Sequence, residues 1–216
     1  MISGIFGLPA SGKSIFSAYV AHLAVLHKPI PVKGHFDSYD KVYTNFPCSG
    51  CHKLNFDDLG NCLFRDCLII IDEIQLFADS RNYKNFSSEL SNFLSLHRKF
   101  HVDIIYCSQS YDTMDKRIRS LTDTLYYIDR WLFGLIRIRP IKAFFRVFGT
   151  IQEGYEMGSN KDALFYIPSK LYGYVDTDAL IKNMPVVLPE SDYWDSLVSY
   201  DFFLYAQPYS KKTVTV

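Results

Sequence analysis

The eight-residue segment GLPASGKS at residues 7–14 constrains the fold of this chain more than any other feature. Its pattern, G-x-x-x-x-G-K-S, is typical of the loop that cradles nucleotide phosphates in P-loop proteins. A short apolar run at 2–6 precedes it, and a segment with apolar residues at helical spacing, 12–28, follows. Because the motif is meaningful only between a strand and a helix, this placement predicts a nucleotide-binding site.

The residue types in this loop suit a bound triphosphate. Gly7 and Gly12 allow successive backbone N–H groups to point inward, where the start of the following helix adds a positive potential. Lys13 can reach the β- and γ-phosphates, and the hydroxyl of Ser14 can ligate Mg²⁺. The predicted phosphate-binding residues are Gly7, Leu8, Pro9, Ala10, Ser11, Gly12, Lys13, Ser14 and Ile15.

Apolar runs alternate with helical patterns along the first half of the chain. The predicted strands span residues 2–6, 41–46, 67–74 and 102–110. One predicted helix, 12–28, has an apolar face of Ile15, Ala18, Tyr19, Leu23 and Leu26, and the other spans 87–100. This alternation predicts an α/β fold, a P-loop sandwich of three layers with a mainly parallel sheet between helices. After residue 124 the sequence is aromatic and predicts further strands and hairpins.

Two acids follow the third apolar run directly. Asp72 stands at the end of this predicted strand, where it can hold Mg²⁺ together with Ser14. Glu73 can orient and deprotonate an attacking water, although it could instead cap the next turn. Gln109 ends the next predicted strand and can hold the same water, or it is a surface amide in a loop.

These residues match a hydrolysing motor better than a transferase. Lys13, Asp72 and Glu73 with Gln109 form the set expected for ATP hydrolysis. Two other classes stay open: a small-molecule kinase, and a nucleotide-dependent oligomeric scaffold without significant turnover. Phosphoryl transfer to a small acceptor would favour the kinase, and ATP binding without turnover in the assembled state would favour the scaffold.

Basic residues are the candidates for contacts in trans and with nucleic acid. Arg98, Arg117 and Arg119 are candidates for an arginine that acts on the nucleotide of a neighbouring subunit, or are solvated surface charges. The chain has 23 Lys and Arg against 23 Asp and Glu, so net charge indicates no partner. The basic segment 116–146 could track the phosphates of single-stranded DNA, or form strands with outward-facing arginines.

The five cysteines indicate a reducing compartment, since their number is odd and no secretory signal precedes them. A zinc site from Cys48, Cys51, His52 and Cys62 is chemically feasible. Cys67 and Cys107 fall in predicted strands and are expected to be inert core thiols. The apolar window 131–149 carries four basic residues, so we expect no membrane span there and a soluble chain.

The order of these motifs resembles the Zonular occludens toxin-like (Zot) family, whose main members are assembly ATPases of filamentous bacteriophages. The matching stretches are GIFGLPASGKSIFSA, VYTNF, Phe56 to Gly60, LIIIDEIQLF, Ser80-Arg81, LHRKFHVDIIYCSQS, MDKRIRSLTD and YIPSKLYGYVDT. The phosphate-loop part is generic. The more specific succession is His97-Arg98, Asp103, Gln109, Arg119 and Tyr172-Tyr174-Asp176.

The resemblance implies a P-loop core of the additional-strand, catalytic-glutamate class, with the ATPase domain at 1–178 and a tail or linker at 179–216. It implies Mg²⁺-dependent ATP hydrolysis by a homo-oligomeric ring at the cytoplasmic face of the host inner membrane. That hydrolysis would drive export of single-stranded phage DNA with coat and other assembly proteins. Membrane attachment would need a segment or partner outside this chain.

Overall fold

The computed structural model describes residues 1–36, 38–76, 88–111, 114–148, 150–158 and 163–166, with backbone only at 76, 133, 142–148 and 150–156. Its strands are β1 (Ile2–Phe6), β2 (Lys41–Thr44), β3 (His52–Lys53), β4 (Cys67–Ile71), β5 (Val102–Ser108), β6 (Thr124–Arg130), β7 (Ile136–Phe148), β8 (Thr150–Met157) and β9 (Leu164–Tyr166). Its α-helices are α1 (Lys13–Val25), α2 (Ser88–Leu96) and α3 (Lys116–Leu121). Short 3₁₀ helices lie at Phe56–Asp58, Ile74–Leu76, His97–Phe100 and Leu132–Gly134.

The strands form one sheet in the order β3-β2-β4-β5-β1-β6-β7-β8, with β9 paired to β7. The strands from β3 to β6 are parallel, and β7, β8 and β9 add antiparallel pairs at one side. β5 lies between β1, which leads into the phosphate loop, and β4, which ends at the acids. This inserted strand defines the additional-strand arrangement, so the predicted α/β fold with a mainly parallel sheet is confirmed.

Helices cover both faces of the sheet, as predicted. Every residue of β1, β4 and β5 is buried, because these central strands have neighbours on both faces. Phe16 of α1 packs with Ile70 and Ile105 on one face. Phe93 of α2 and Ile118 of α3 belong to the cluster on the other face.

The predicted apolar face of α1 is wrong in part. Leu26 lies beyond the helix and is 45% exposed, and Tyr19 and Leu23 are only half-buried. The buried residues of the helix are Lys13, Ile15, Phe16, Ser17, Ala18, Val20, Ala21 and Ala24. Burial does not follow one stripe because α1 is covered from a second side, where Tyr166 of β9 contacts Phe16 and Tyr19.

Strand ends differ slightly from the predictions. β4 ends at Ile71, so Asp72 and Glu73 lie just past the strand at the sheet edge. The predicted helix at 87–100 divides into α2 and the 3₁₀ helix His97–Phe100. None of the helices in the described ranges is both long and apolar enough to cross a membrane. The predicted domain boundary at 178, the tail 179–216 and the Ser80-Arg81 pair lie outside the described residues.

Candidate nucleotide-binding site

The loop between β1 and α1 needs glycine at both ends. A Cβ atom on Gly7 would lie 2.3 Å from the carbonyl oxygen of Ile128, in the neighbouring strand β6. Gly12 has a φ of 105°, and a Cβ atom there would lie 2.6 Å from the side chain of Ile136. The left-handed conformation and the close approach of the sheet therefore explain both glycines of the motif.

Lys13 lies inside the loop. Its side chain is buried, and its ammonium group donates hydrogen bonds to the carbonyl oxygens of Gly7 at 2.8 Å and Leu8 at 3.0 Å. The hydroxyl of Ser11 is buried too and finds no hydrogen-bond partner among the described residues. A cation and an unused hydroxyl donor in a glycine-flanked cradle fit a phosphate group.

The other predicted phosphate-binding residues divide between the surface and the core. Leu8, Pro9 and Ala10 form the exposed outer part of the loop. Ser14 is half-buried in the first turn of α1, and Ile15 points into the core. The structure therefore brings the backbone of the whole segment to the carboxyl ends of the parallel strands, where ligands of open α/β sheets bind.

A clamp that the sequence analysis missed fixes the backbone of Asp72. The side-chain amide of Asn45 donates to the carbonyl oxygen of Asp72 at 2.8 Å, and its oxygen accepts from the N–H of Asp72 at 2.7 Å. Asn45 follows β2, which pairs with β4. The sequence did carry a signal for this role, because Asn45 is a polar residue just past a strand that ends at the same sheet edge.

The Asp72 carboxyl group lies beside the hydroxyl of Ser14. It is 4% exposed and accepts hydrogen bonds from that hydroxyl and from the N–H of Glu73. Burial raises the pKa of Asp72 above its usual value, and the Ser14 hydrogen bond partly opposes this rise. A carboxylate and a hydroxyl side by side at the phosphate loop are hard oxygen ligands, so the pair fits Mg²⁺.

Glu73 and Gln109 meet in the structure. The side-chain amide of Gln109 donates to the two carboxylate oxygens of Glu73 at 3.1 and 3.3 Å. The amide of Gln75, which the sequence analysis did not select, donates to the same carboxylate. Glu73 also has a φ of 52°, a left-handed conformation that costs of order 1–3 kcal/mol in a non-glycine residue. Strain of this kind is concentrated at functional sites.

The structure does not bring Arg98 to this group of residues. Arg98 pairs with Asp123, whose carboxylate also accepts from the N–H of Ile2 at the start of β1. It therefore lies at the opposite edge of the sheet, about 16 Å away for a five-residue strand. Arg119 lies on α3, with its guanidinium 5.1 Å from the ring of Tyr111. Their action on a neighbouring subunit stays a prediction.

Several arginines of the basic segment 116–146 are engaged within the chain. Arg137 is 6% exposed and donates to Asp129 at 2.9 and 2.6 Å, and Arg139 reaches the same carboxylate at 3.0 Å. Arg117 pairs with Asp115 at 2.9 Å. Because Arg137 and Arg139 both pair with Asp129 and Arg137 is buried, these two are not the outward-facing arginines that were one alternative for this segment.

The predicted zinc site is wrong. Cys48, Cys51, His52 and Cys62, all of them described, do not gather into a group that could hold a metal ion. Cys48 and Cys51 pack into the core beneath α1, whereas Cys62 is exposed and His52 lies against the ring of Tyr43. The thiols of Cys48 and Cys51 are buried in the apolar core, so they do not meet the side chains of His52 and Cys62. Cys67 and Cys107 are buried core thiols, as predicted.

The strand order and the site together define a P-loop NTPase fold of the additional-strand, catalytic-glutamate class. Residues 53–162, slightly more than half of the chain, match the family model described as Zonular occludens toxin (Zot). The chain therefore belongs to the Zot family. None of the curated protein sequences matches it.

Solved structures of similar shape include the N-terminal domain of zonular occludens toxin from Neisseria meningitidis. It is 19% identical, with 81% of this chain and 98% of that chain covered and a TM-score of 0.46. The genome packaging NTPase B204 from Sulfolobus turreted icosahedral virus 2, in complex with AMP, is 14% identical with coverage of 62% and 77% and a TM-score of 0.42.

Another similar structure is the flagellar accessory protein FlaH from Methanocaldococcus jannaschii, 14% identical. The match covers 77% of this chain and 89% of FlaH, with a TM-score of 0.41. Because all three TM-scores are below 0.5, the assignment of the fold rests on the strand order and the phosphate loop.

Proposed function

We propose that this chain is an ATP-hydrolysing motor for the assembly of filamentous phage. Hydrolysis would drive the export of single-stranded phage DNA and virion proteins at the cytoplasmic face of the host inner membrane. The observation that carries the proposal is the pair Glu73–Gln109, held by hydrogen bonds at the same sheet edge as the phosphate loop.

The phosphate loop supports ATP as the substrate. Carbonyl oxygens of the loop hold the Lys13 ammonium group, which needs only to turn toward a bound anion. Ser11 has an unused hydroxyl in the same cradle. Mg²⁺, held by Ser14 and Asp72, would neutralise charge on the β- and γ-phosphates.

Glu73 supports hydrolysis rather than transfer. Its carboxylate accepts from the amides of Gln109 and Gln75, so its orientation is fixed before any substrate arrives. A carboxylate fixed in this way takes a proton from an attacking water, and the Gln109 amide holds that water in line.

A homo-oligomeric ring is the assembly that we propose for the motor. Arg98 lies far from the phosphate loop of its own chain, so it would have to act on the nucleotide of a neighbour. Arg119 is the second candidate for this role. Membership of the Zot family supports single-stranded DNA, coat proteins and the inner membrane as partners, the last through a further segment or a partner protein.

Steady-state ATP hydrolysis by the full chain, with and without single-stranded DNA, tests the proposal. We expect DNA to stimulate turnover and Glu73→Gln to lower it about 100- to 10,000-fold, the usual contribution of a general base. ATP binding should persist in this variant. Glu89→Gln, which changes an exposed acid on α2, is the matched control and should keep the wild-type rate.

Two results would contradict the motor. Negligible turnover in the wild type, in a preparation that is oligomeric and contains DNA, would favour a nucleotide-dependent scaffold. Transfer of the γ-phosphate to a small acceptor, which a radiolabelled nucleotide would reveal, would favour a kinase.

A further inference from the structure

The turn between β6 and β7, residues 131–135, lies against the phosphate loop. The side chain of Arg130, at the end of β6, donates to the carbonyl oxygen of Ala10 at 3.2 Å and to that of Gly134 at 3.4 Å. One guanidinium therefore contacts both the phosphate loop and the turn. Ile136, the first residue after the turn, packs under Gly12.

The sheet order gives a bound nucleotide a direction. Glu73 follows β4 and Gln109 follows β5, and both strands lie on one side of β1. β6 lies on the other side of β1. A triphosphate whose γ end faces Glu73 and Gln109 must therefore extend toward β6. Its nucleoside end arrives at the turn 131–135.

The turn presents an aromatic ring at this place. Trp131 is 38% exposed, and the guanidinium of Arg137 lies 3.6 Å from the centroid of its ring. Arg137 is itself held by two hydrogen bonds to Asp129. One face of the indole is thus held against the buried Arg137, which pairs with the half-buried Asp129, while the ring stays partly open to solvent. A ring held in this way loses little conformational freedom when a base stacks on it.

We propose that Trp131 is the platform for the nucleobase of the bound nucleotide. The ligand is a purine nucleoside triphosphate, since its base offers a large π-face to an indole. The assignment rests on the proposed function, because it places the nucleoside end of the ATP whose phosphates the loop holds.

Tryptophan fluorescence can observe this contact directly. The chain contains two tryptophans, Trp131 and Trp194, so Trp194→Phe leaves Trp131 as the reporter. In that background, ATP should change the emission and inorganic tripolyphosphate should not, because the latter has no base. Trp131→Ala should weaken ATP binding in calorimetry about 5- to 150-fold, the usual range for loss of one stacking partner. Tripolyphosphate affinity should stay unchanged, and Trp131→Phe should keep most of the ATP affinity.

The two proposals fail differently. One result would overturn the platform and leave the motor standing. In it, Lys13→Ala abolishes ATP binding, Trp131→Ala leaves the ATP affinity unchanged, and ATP does not change the tryptophan emission. Absence of ATP binding to the wild type would overturn both. Equal weakening of ATP and tripolyphosphate binding by both Trp131 variants would also overturn the platform, because the effect would then lie in the phosphate loop.

Discussion

The two edges of the central sheet both carry a buried acid, yet they use it differently. At the amino edge, Asp103 of β5 is 1% exposed and accepts from the N–H of Phe36 and the hydroxyl of Tyr39, each at 2.8 Å. The ring of His35 lies 3.2 Å from the same carboxylate. At the carboxyl edge, the partners of the Asp72 carboxylate among the described residues are the N–H of Glu73 and the hydroxyl of Ser14, both beside the phosphate loop.

The network at the amino edge continues across the sheet. His35 contacts the hydroxyl of Ser3 at 2.7 Å, and Ser3 contacts that of Thr124 at 2.6 Å. Burial alone would raise the pKa of Asp103, but the nearby His35 ring, the amino group of Met1 and the N–H of Phe36 outweigh it and hold this pKa well below its usual value. For Asp72 the balance is opposite, and its pKa rises. An acid whose partners are supplied from several elements is therefore structural here, whereas we expect Asp72, beside the phosphate loop, to serve a ligand.

Removing the acid at the amino edge is expected to have the largest effect on stability. Asp103→Asn should lower the free energy of unfolding by about 3–5 kcal/mol, because the buried groups around it would lose their negatively charged partner. Urea unfolding at pH 7 measures it. Asp57→Asn, at an exposed position, should change stability by about 0.5 kcal/mol or less.

The pH dependence of the same proteins sharpens the comparison. Because the pKa of Asp103 is lower in the folded than in the unfolded state, its contribution is complete above the unfolded value of about 3.9. It is lost as pH falls below that value. The wild type should therefore lose stability more steeply than Asp103→Asn below about pH 4, and parallel curves would show that the network is not the source.

The clamp on Asp72 is expected to have an intermediate effect. Asn45→Ala leaves the N–H and carbonyl oxygen of Asp72 without their partners, which should cost about 1–3 kcal/mol. Thermal unfolding measures this cost, and ATP hydrolysis should fall as well, since the carboxylate is displaced. Asn61→Ala removes an exposed hydrogen bond to Asp57 and should change neither quantity appreciably.

The smallest effect concerns backbone strain and has opposite consequences for function at the two edges. Glu73 has a φ of 52° and His101, at the amino edge, a φ of 53°. Glycine at either position should change the free energy of unfolding by about 1 kcal/mol or less, since relief of the left-handed conformation is offset by the greater entropy that glycine gives the unfolded chain. Glu73→Gly should abolish ATP hydrolysis, whereas His101→Gly should retain it. Loss of hydrolysis in both variants would remove the distinction between the edges.

Local sequence was sufficient to predict the phosphate loop, the strand before it and the helix after it. The signals for these elements are local. They are a glycine at a left-handed turn, the run of apolar residues in β4 and the acids that follow it, and each depends only on the conformation of a short segment. The meeting of Glu73 and Gln109 was also predictable, because parallel strands bring their carboxyl ends to one edge.

The sequence itself determined the loop, the alternation of strands and helices in the first half of the chain, and the acids that follow β4. Only the tertiary structure decided that Asn45 clamps Asp72, that Arg98 lies at the far edge, and that Cys48 and Cys51 enter the core instead of a zinc site. These outcomes depend on which strands pair and which surface each helix covers. Pairing and coverage are set by burial of apolar area summed over the whole sheet, a quantity that no short segment contains.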